Sequence, residues 1–311
     1  AKVGNKEVAI PAVKVADGVI STSEIVAQTV ATANVALGED AFQRIIKEKH
    51  DANIMFLIQQ ANVRSSELKT AKAFQEEVKA IGEAANKQIT NIEISAYASP
   101  DGALDLNQGL AEKRQDATAK VVNKNLKKDK MEANVDTKYT AEDWEGFQEL
   151  VSKSNIQDKE LILRVLSMYK EPEQREQEIK NISSVYSALA DEILPQLRRS
   201  RLTLNYEIIG KSDEEIANLA DNNAKELSLE ELLYAATLAK DAAKKEAIYT
   251  KATQLFPNDY RAFNNLGKLA YEAGDMDKAE NLLKKALTIK ENPEANMNLG
   301  LVALAKGKAA E

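Results

Sequence analysis

Four side chains near the middle of the chain could together grip a small charged group: Ser99, Asp101, Asn107 and Arg114. A guanidinium forms a two-pronged pair with a carboxylate, a carboxylate accepts from an ammonium, and a hydroxyl and an amide add neutral hydrogen bonds. The turn Ser99-Pro100-Asp101-Gly102 must be sharp, because proline fixes φ and glycine accepts positive φ. A helix that follows such a turn starts beside the end of the preceding strand, and its first N–H groups favour anions. Arg114 falls one turn beyond Leu110 and one turn before Ala117, two positions expected to point inward. Its guanidinium is therefore expected to be half-buried and in need of a partner. On the residues alone that partner is Asp101, Asp105 or Asp116 in an internal ion pair, or a ligand.

No catalytic set stands beside this cluster. His50 is the single histidine, between Lys49 and Asp51, and reads as a solvated helix-end residue. Glu76-Glu77 and Glu230-Glu231 are adjacent pairs, which point apart on a helix. The chain has no cysteine, so disulfides and thiolate metal sites are excluded. Calcium-loop spacing, a phosphate loop and a Gly-x-Ser-x-Gly elbow are absent from it. The expectation is a binder with no catalytic, metal or cofactor site. Trp144, at a helix start, reads as a core anchor.

Composition narrows the class further. The 311 residues allow two or three domains. A net charge of −7 argues against nucleic acid, which calls for a basic stripe. No run of about 18 apolar residues is present, so no membrane-spanning helix is expected.

The elements that must position the cluster are legible as alternating and helical patterns. Residues 53–63 read as a strand, 71–87 as a helix through Phe74, Val78, Ile81 and Ala85, and 89–98 as a strand with Ile92, Ile94, Ala96 and Ala98 on one face. A helix over 104–126 has Leu106, Leu110, Ala117, Val121 and Val122 on its expected inner side, and a strand follows at 133–140. Residues 141–197 read as helices punctuated at Pro172, and 201–209 as a closing strand ended by Gly210. This order predicts an α+β sandwich with helices on one face of a small sheet. Ahead of it, residues 1–40 read as strand pieces and a connector, with Lys6–Val15 alternating and 21–35 leaning towards strand. They suggest the end of an upstream β-domain that lies outside this chain.

Residues 211–311 read as an all-α domain of repeats. Phe263, Leu266, Gly267, Tyr271, Gly274, Ala279, Leu283 and Ala286 fall at the spacings of a tetratricopeptide repeat. Leu299, Gly300, Ala303 and Gly307 repeat those offsets 33 residues later, and Ala252 and Pro257 match an earlier unit. About 2.5 repeats are expected, the last cut at Glu311. Stacked helix pairs of this kind bury their apolar faces on each other and leave a concave face for an extended peptide or partner. Gly267 and Ala279 are small because helices pack closely there. Asn264, Asn265, Lys268, Asn296 and Asn298 are the candidate contacts on that face, with plain solvent exposure as the alternative.

The stretch Ile92–Ala117 resembles the outer-membrane-protein-A-like (OmpA-like) domain, a peptidoglycan-associating module. Asn107 and Arg114 stand eight and fifteen residues after Ser99, the spacing that the family's Asn and Arg keep from its Asp. Leu110 takes the family's Leu place and Ala111 its Ser place, and Arg199-Ser200-Arg201-Leu202 resembles the entrance to its last strand. The resemblance covers roughly 50–210 and is interrupted by the helical block 141–197. It implies a βαβαβ-type sandwich over 41–210, with the Arg taking the carboxylate of diaminopimelate in the peptidoglycan stem peptide and an Asp its ammonium. Here the Arg is Arg114, but the Asp place is held by Ser99. A hydroxyl supplies no charge, and hydrogen bonds to charged groups contribute roughly 1.5–3 kcal/mol against about 1 for neutral ones. Asp101, two residues on, could substitute.

The expected function is thus a non-catalytic protein of a Gram-negative cell envelope, on the periplasmic side of the outer membrane. It would hold peptidoglycan through the first domain and an unidentified protein partner through the repeats. The alternative is a protein–protein scaffold whose OmpA-like domain has lost its ligand.

Overall fold

The computed structural model describes residues 33–307 together with two short strands, β1 (Lys2–Val3) and β2 (Lys6–Glu7), which pair antiparallel. The protein is mixed α+β. The chain divides after Phe42 and again after Gly210. Gln43–Gly210 is one compact unit, and Lys211–Glu311 forms the other with the residues that precede Gln43.

The first unit is built on a four-stranded sheet in the order β3 (Ile45–Met55), β6 (Arg199–Ile209), β4 (Lys87–Tyr97), β5 (Val135–Thr140). Only β4 and β5 run parallel. Cross-strand register sorts the two faces. Ile94, Leu202 and Ala52 lie abreast, as do Ile92, Leu204 and His50. These positions point at the helices α1 (Glu67–Glu83) and α2 (Leu104–Lys128), whose Phe74, Val78, Ile81, Val122 and Leu126 close the core. On the other face Thr203 donates to Asp51 at 2.6 Å, Asn205 donates to Asn91 at 3.0 Å, and Lys138 pairs with Glu93. One apolar and one wetted face is how an antiparallel-rich sheet meets water.

Three expectations shift here. The strand expected at 53–63 is β3, which starts at Ile45 and ends at Met55. Its Lys47, Glu48, Lys49 and Asp51 hid it. They belong on a strand because β3 is a sheet edge, where charge discourages further pairing. His50 therefore sits mid-strand, with its ring 6.2 Å from that of Phe74, and not at a helix end. The inner side of α2 is also one residue out of phase. Asn107, Ala111, Arg114, Thr118, Val122 and Leu126 are buried, while Leu106 is about half exposed. The buried stripe is polar at its first half, so hydrophobic periodicity could not reveal it.

Residues 144–197 form a helical insertion with its own core of Phe147, Val151, Ile162, Leu166, Ile179, Leu189, Ile193 and Leu197. Its elements are α3 (Trp144–Lys153), α4 (Lys159–Met168), α5 (Pro172–Asn181) and α6 (Ser183–Ala188). A π turn at Leu189–Ile193 then leads into α7 (Leu194–Leu197). Pro195 has no N–H to offer the preceding turn, and the helix widens just before it. Trp144 packs edge-on against Phe147 at 5.7 Å.

The second unit stacks α8 (Asp213–Asn222), α9 (Leu229–Leu238), α10 (Ala242–Leu255), α11 (Tyr260–Glu272), α12 (Met276–Ile289) and α13 (Pro293–Ala305). Ser212 and Ser228 open α8 and α9 with reciprocal capping boxes. A Cβ on Gly267 would stand 2.8 Å from Leu283, so α11 and α12 touch at that glycine. Gly300, at the matching repeat offset, faces open space. The strand reading of 21–35 lies outside the described residues up to 32, and 33–35 carry no strand. Among the described residues no helix is long and apolar enough to cross a membrane.

Candidate functional site

The cleft forms where β4 ends and α2 begins. Beyond Tyr97 the chain stays pinned to its neighbours: Ala98 N–H donates to Thr140 and Asp143 N–H donates to Ala98. The Ser99–Gly102 turn then leads into α2, and Asn107, 4% exposed, donates its side-chain amide to Gly102 carbonyl at 3.2 Å. Asn107 thus holds the turn against the first turn of the helix.

Arg114 is 1% exposed. Its guanidinium donates from Nε to Gln60 carbonyl at 2.9 Å, from Nη1 to Tyr97 carbonyl at 2.9 Å and from Nη2 to Leu57 carbonyl at 3.2 Å. Its Cζ lies 5.2 Å from the centre of the Phe56 ring. Two of those carbonyls come from the loop after β3, in which Gln59 takes a left-handed conformation with φ 56°. The internal ion pair with Asp101, Asp105 or Asp116 is not formed: main-chain oxygens take the place of a carboxylate. Burial, and then the charge of Arg198, hold the Arg114 guanidinium below its ordinary value, with Asp101 opposing. It still stays charged at neutral pH.

Asp101 pairs instead with Arg198, the residue just before β6. Arg198 Nη2 donates to Asp101 Oδ2 at 3.1 Å, and its Nε donates to Ser99 Oγ at 3.2 Å. Ser99, Asp101, Asn107 and Arg114 therefore meet around one cleft of about 40 Å³, with Arg198, Gln59 and apolar side chains such as Leu106 and Leu110 also in its walls. The sequence reading missed Arg198. The available signal was the run Arg198-Arg199-Ser200-Arg201, of which the resemblance used only the last three.

The charges do not balance. Two guanidiniums, Arg114 and Arg198, face one carboxylate, Asp101. A guanidinium has five N–H donors. Arg114, 1% exposed, is committed to its three carbonyls, whereas Arg198 spends two N–H groups on the described residues and keeps three. Asp101 Oδ1 carries no partner among the described residues. Next to the cleft, Asp143 and Arg199 make a second buried pair at 2.9 Å, and Arg199 lies 4.6 Å from the centre of the Tyr97 ring. This pair braces the start of β6.

The residues expected on the concave face of the helical repeats divide into two groups. Asn264, Asn265 and Asn298 are buried, each at most 1% exposed. Lys268 pairs with Glu272 at the surface, and exposed Asn296 donates to Glu291. Solvent exposure thus describes only the second group.

No known protein family matches this chain, and no curated protein matches its sequence. The site is read from its own geometry.

Proposed function

We propose that this protein is a non-catalytic component of a Gram-negative cell envelope, acting on the periplasmic side of the outer membrane, that associates with peptidoglycan through the cleft of Asp101, Asn107, Arg114 and Arg198. The observation that carries the reading is the surplus of guanidinium donors over carboxylate in that cleft. A carboxylate entering there meets N–H groups already aimed by other bonds, which lowers the ordering cost of binding. The diaminopimelate end of a stem peptide is such a group, and its ammonium can be met by Asp101 Oδ1. Ser99 does not serve as that ammonium's charged partner, since its Oγ accepts from Arg198. The second unit supplies a helical array for a protein partner.

A second reading has its own support. Ser99 and Asp101 are both bonded to Arg198, which also describes a cleft that has closed on itself in a scaffold without a ligand. Co-sedimentation with purified peptidoglycan, alongside binding of a soluble diaminopimelate stem peptide, separates the two. The anchoring reading expects saturable binding that Arg198→Ala removes. Absence of binding by the folded protein rejects it in favour of the scaffold.

A further inference from the structure

One polar face of the second unit is covered by the chain's own residues. Ala33–Phe42 run across it with no helix or strand of their own. Asn265 of α11 and Asn298 of α13 stand 33 residues apart, one repeat length. Each reads both main-chain polar groups of one residue in this segment. Asn298 Oδ1 accepts from Ala36 N–H at 2.7 Å, and its Nδ2 donates to Ala36 carbonyl at 2.7 Å. Asn265 does the same for Gly38, at 2.7 and 2.9 Å. Asn264 knits the two together: its Nδ2 donates to Asn265 Oδ1 at 3.1 Å, and its Oδ1 accepts from Asn298 at 2.9 Å. Alternate residues are read because an extended chain turns the same way every second residue.

Main-chain contacts are blind to sequence, so selectivity must come from elsewhere in the groove. Val35 is buried in the apolar cluster that also holds Phe263, Tyr271, Leu283 and Leu301. At Gly38 a Cβ would stand 3.0 Å from both Cβ and Cγ of Arg261 and 3.1 Å from its Cα, so any larger residue must push Arg261 back by a few tenths of an ångström and a branched one by more. Beyond it, Arg261 donates to Glu39 carbonyl at 3.2 Å, Glu230 accepts from Ala41 N–H at 2.6 Å, and the Phe42 ring stacks on Tyr234 at 4.4 Å.

We propose that this groove is a peptide-reading site whose resident ligand is the chain's own Val35-Ala36-Leu37-Gly38, held in cis. A protein partner occupies it by offering an extended segment with the same apolar, small, unrestricted, glycine pattern in place of the resident one. A tethered segment acts at an effective concentration of order millimolar, so the intact chain shuts out weak competitors. The inference concerns the repeats alone and stands apart from the cleft.

The test uses a fluorescent peptide spanning Ala33–Phe42 and the full chain. The wild-type chain should leave the peptide unbound at concentrations where a Gly38→Val chain, its resident segment released, binds it at least ten-fold more tightly. Adding Asn265→Ala and Asn298→Ala should remove that binding. An unlabelled peptide with valine at the glycine position should fail to compete. Circular dichroism reports whether the helices persist; should Gly38→Val cost helical content, Val35→Asp releases the segment by emptying its pocket instead. The proposal is overturned if a released chain with intact helices and fast amide exchange at residues 36 and 38 binds no peptide. It is equally overturned if the valine peptide competes as well as the original.

Discussion

Arg198 Nη2 lies 3.1 Å from Asp101 Oδ2, and this pair, not one through Arg114, ties the Ser99–Gly102 turn to the start of β6. Both side chains keep some contact with water, at 11% and 15% exposure. Arg114 lies deeper and is spent on the main chain. The two guanidiniums thus divide the work: Arg114 builds the cleft and Arg198 faces what enters it.

Replacing Arg114 should therefore cost the fold before it costs any ligand. Arg114→Ala leaves the carbonyls of Leu57, Gln60 and Tyr97 without their donor. Stranded buried polar groups cost about 1–3 kcal/mol each, and the loop carrying Gln59 can relax to water for part of that. We expect a loss of about 3–5 kcal/mol in urea unfolding. Arg114→Lys should recover only a fraction, because one ammonium cannot span three diverging carbonyls. A loss below about 1 kcal/mol for the alanine variant would show that the guanidinium carries no structural load.

Gly146→Ala should be severe for so small a change. Asp143 caps α3 by accepting from Gly146 N–H at 2.9 Å, and its other oxygen lies 2.9 Å from Arg199. A Cβ at position 146 would come within 2.3 Å of that second oxygen. Either the cap or the buried pair must give, at an expected cost of about 2–4 kcal/mol. Gly109→Ala is the control. Its Cβ meets nothing within 4 Å in the second turn of α2, so it should stabilise by about 0.5–1 kcal/mol through helix propensity. Thermal unfolding of the two variants should move in opposite directions.

The second unit should weaken in alkali. Burial pushes the Tyr249 hydroxyl up to about 12, the side chain of Asn265 opposing and the charge of Asp40 adding to the rise. An unfolded tyrosine loses its proton near ~10. Between about 10 and 12 the unfolded chain has released a proton that the folded chain keeps, so stability falls as pH rises. The contribution is complete below about 10 and is lost on passing 12, with a size of about 2–3 kcal/mol. Burial also raises Tyr260 and Tyr271, so phenolate absorbance should show late titration whose last part disappears in Tyr249→Phe, and that variant should flatten this part of the stability profile. A Tyr249 that titrates with the exposed tyrosines would contradict the assignment.

How much of this was legible beforehand depended on whether a face was apolar. The β4 alternation of Ile92, Ile94 and Ala96 and the helical insertion announce themselves through burial of hydrocarbon, and sequence periodicity reports that directly. The inner stripe of α2 does not: it opens with Asn107, Ala111, Arg114 and Thr118, and the burial of the Arg114 charge is offset by carbonyls distant in sequence. β3 was blurred for a related reason, its charges belonging to an edge strand. Ser99, Asp101, Asn107 and Arg114 could be grouped by spacing, yet Arg198 enters their cleft only through the antiparallel pairing of β6 with β4. The asparagines of the second unit were visible as a polar face. That they hold residues 36 and 38 rests on contacts spanning more than two hundred residues, which no local pattern encodes.

The most direct test of the cleft is titration of the purified chain with a soluble stem peptide ending in diaminopimelate, comparing wild type with Arg198→Ala and measuring the stability of both by urea unfolding. The account predicts saturable binding by the wild type and at least a ten-fold loss in Arg198→Ala, compared under conditions where urea unfolding shows both to be folded, since breaking this largely buried pair should cost about 2–4 kcal/mol. Binding that survives Arg198→Ala unchanged, or a folded wild-type protein that takes up no stem peptide at all, would contradict it.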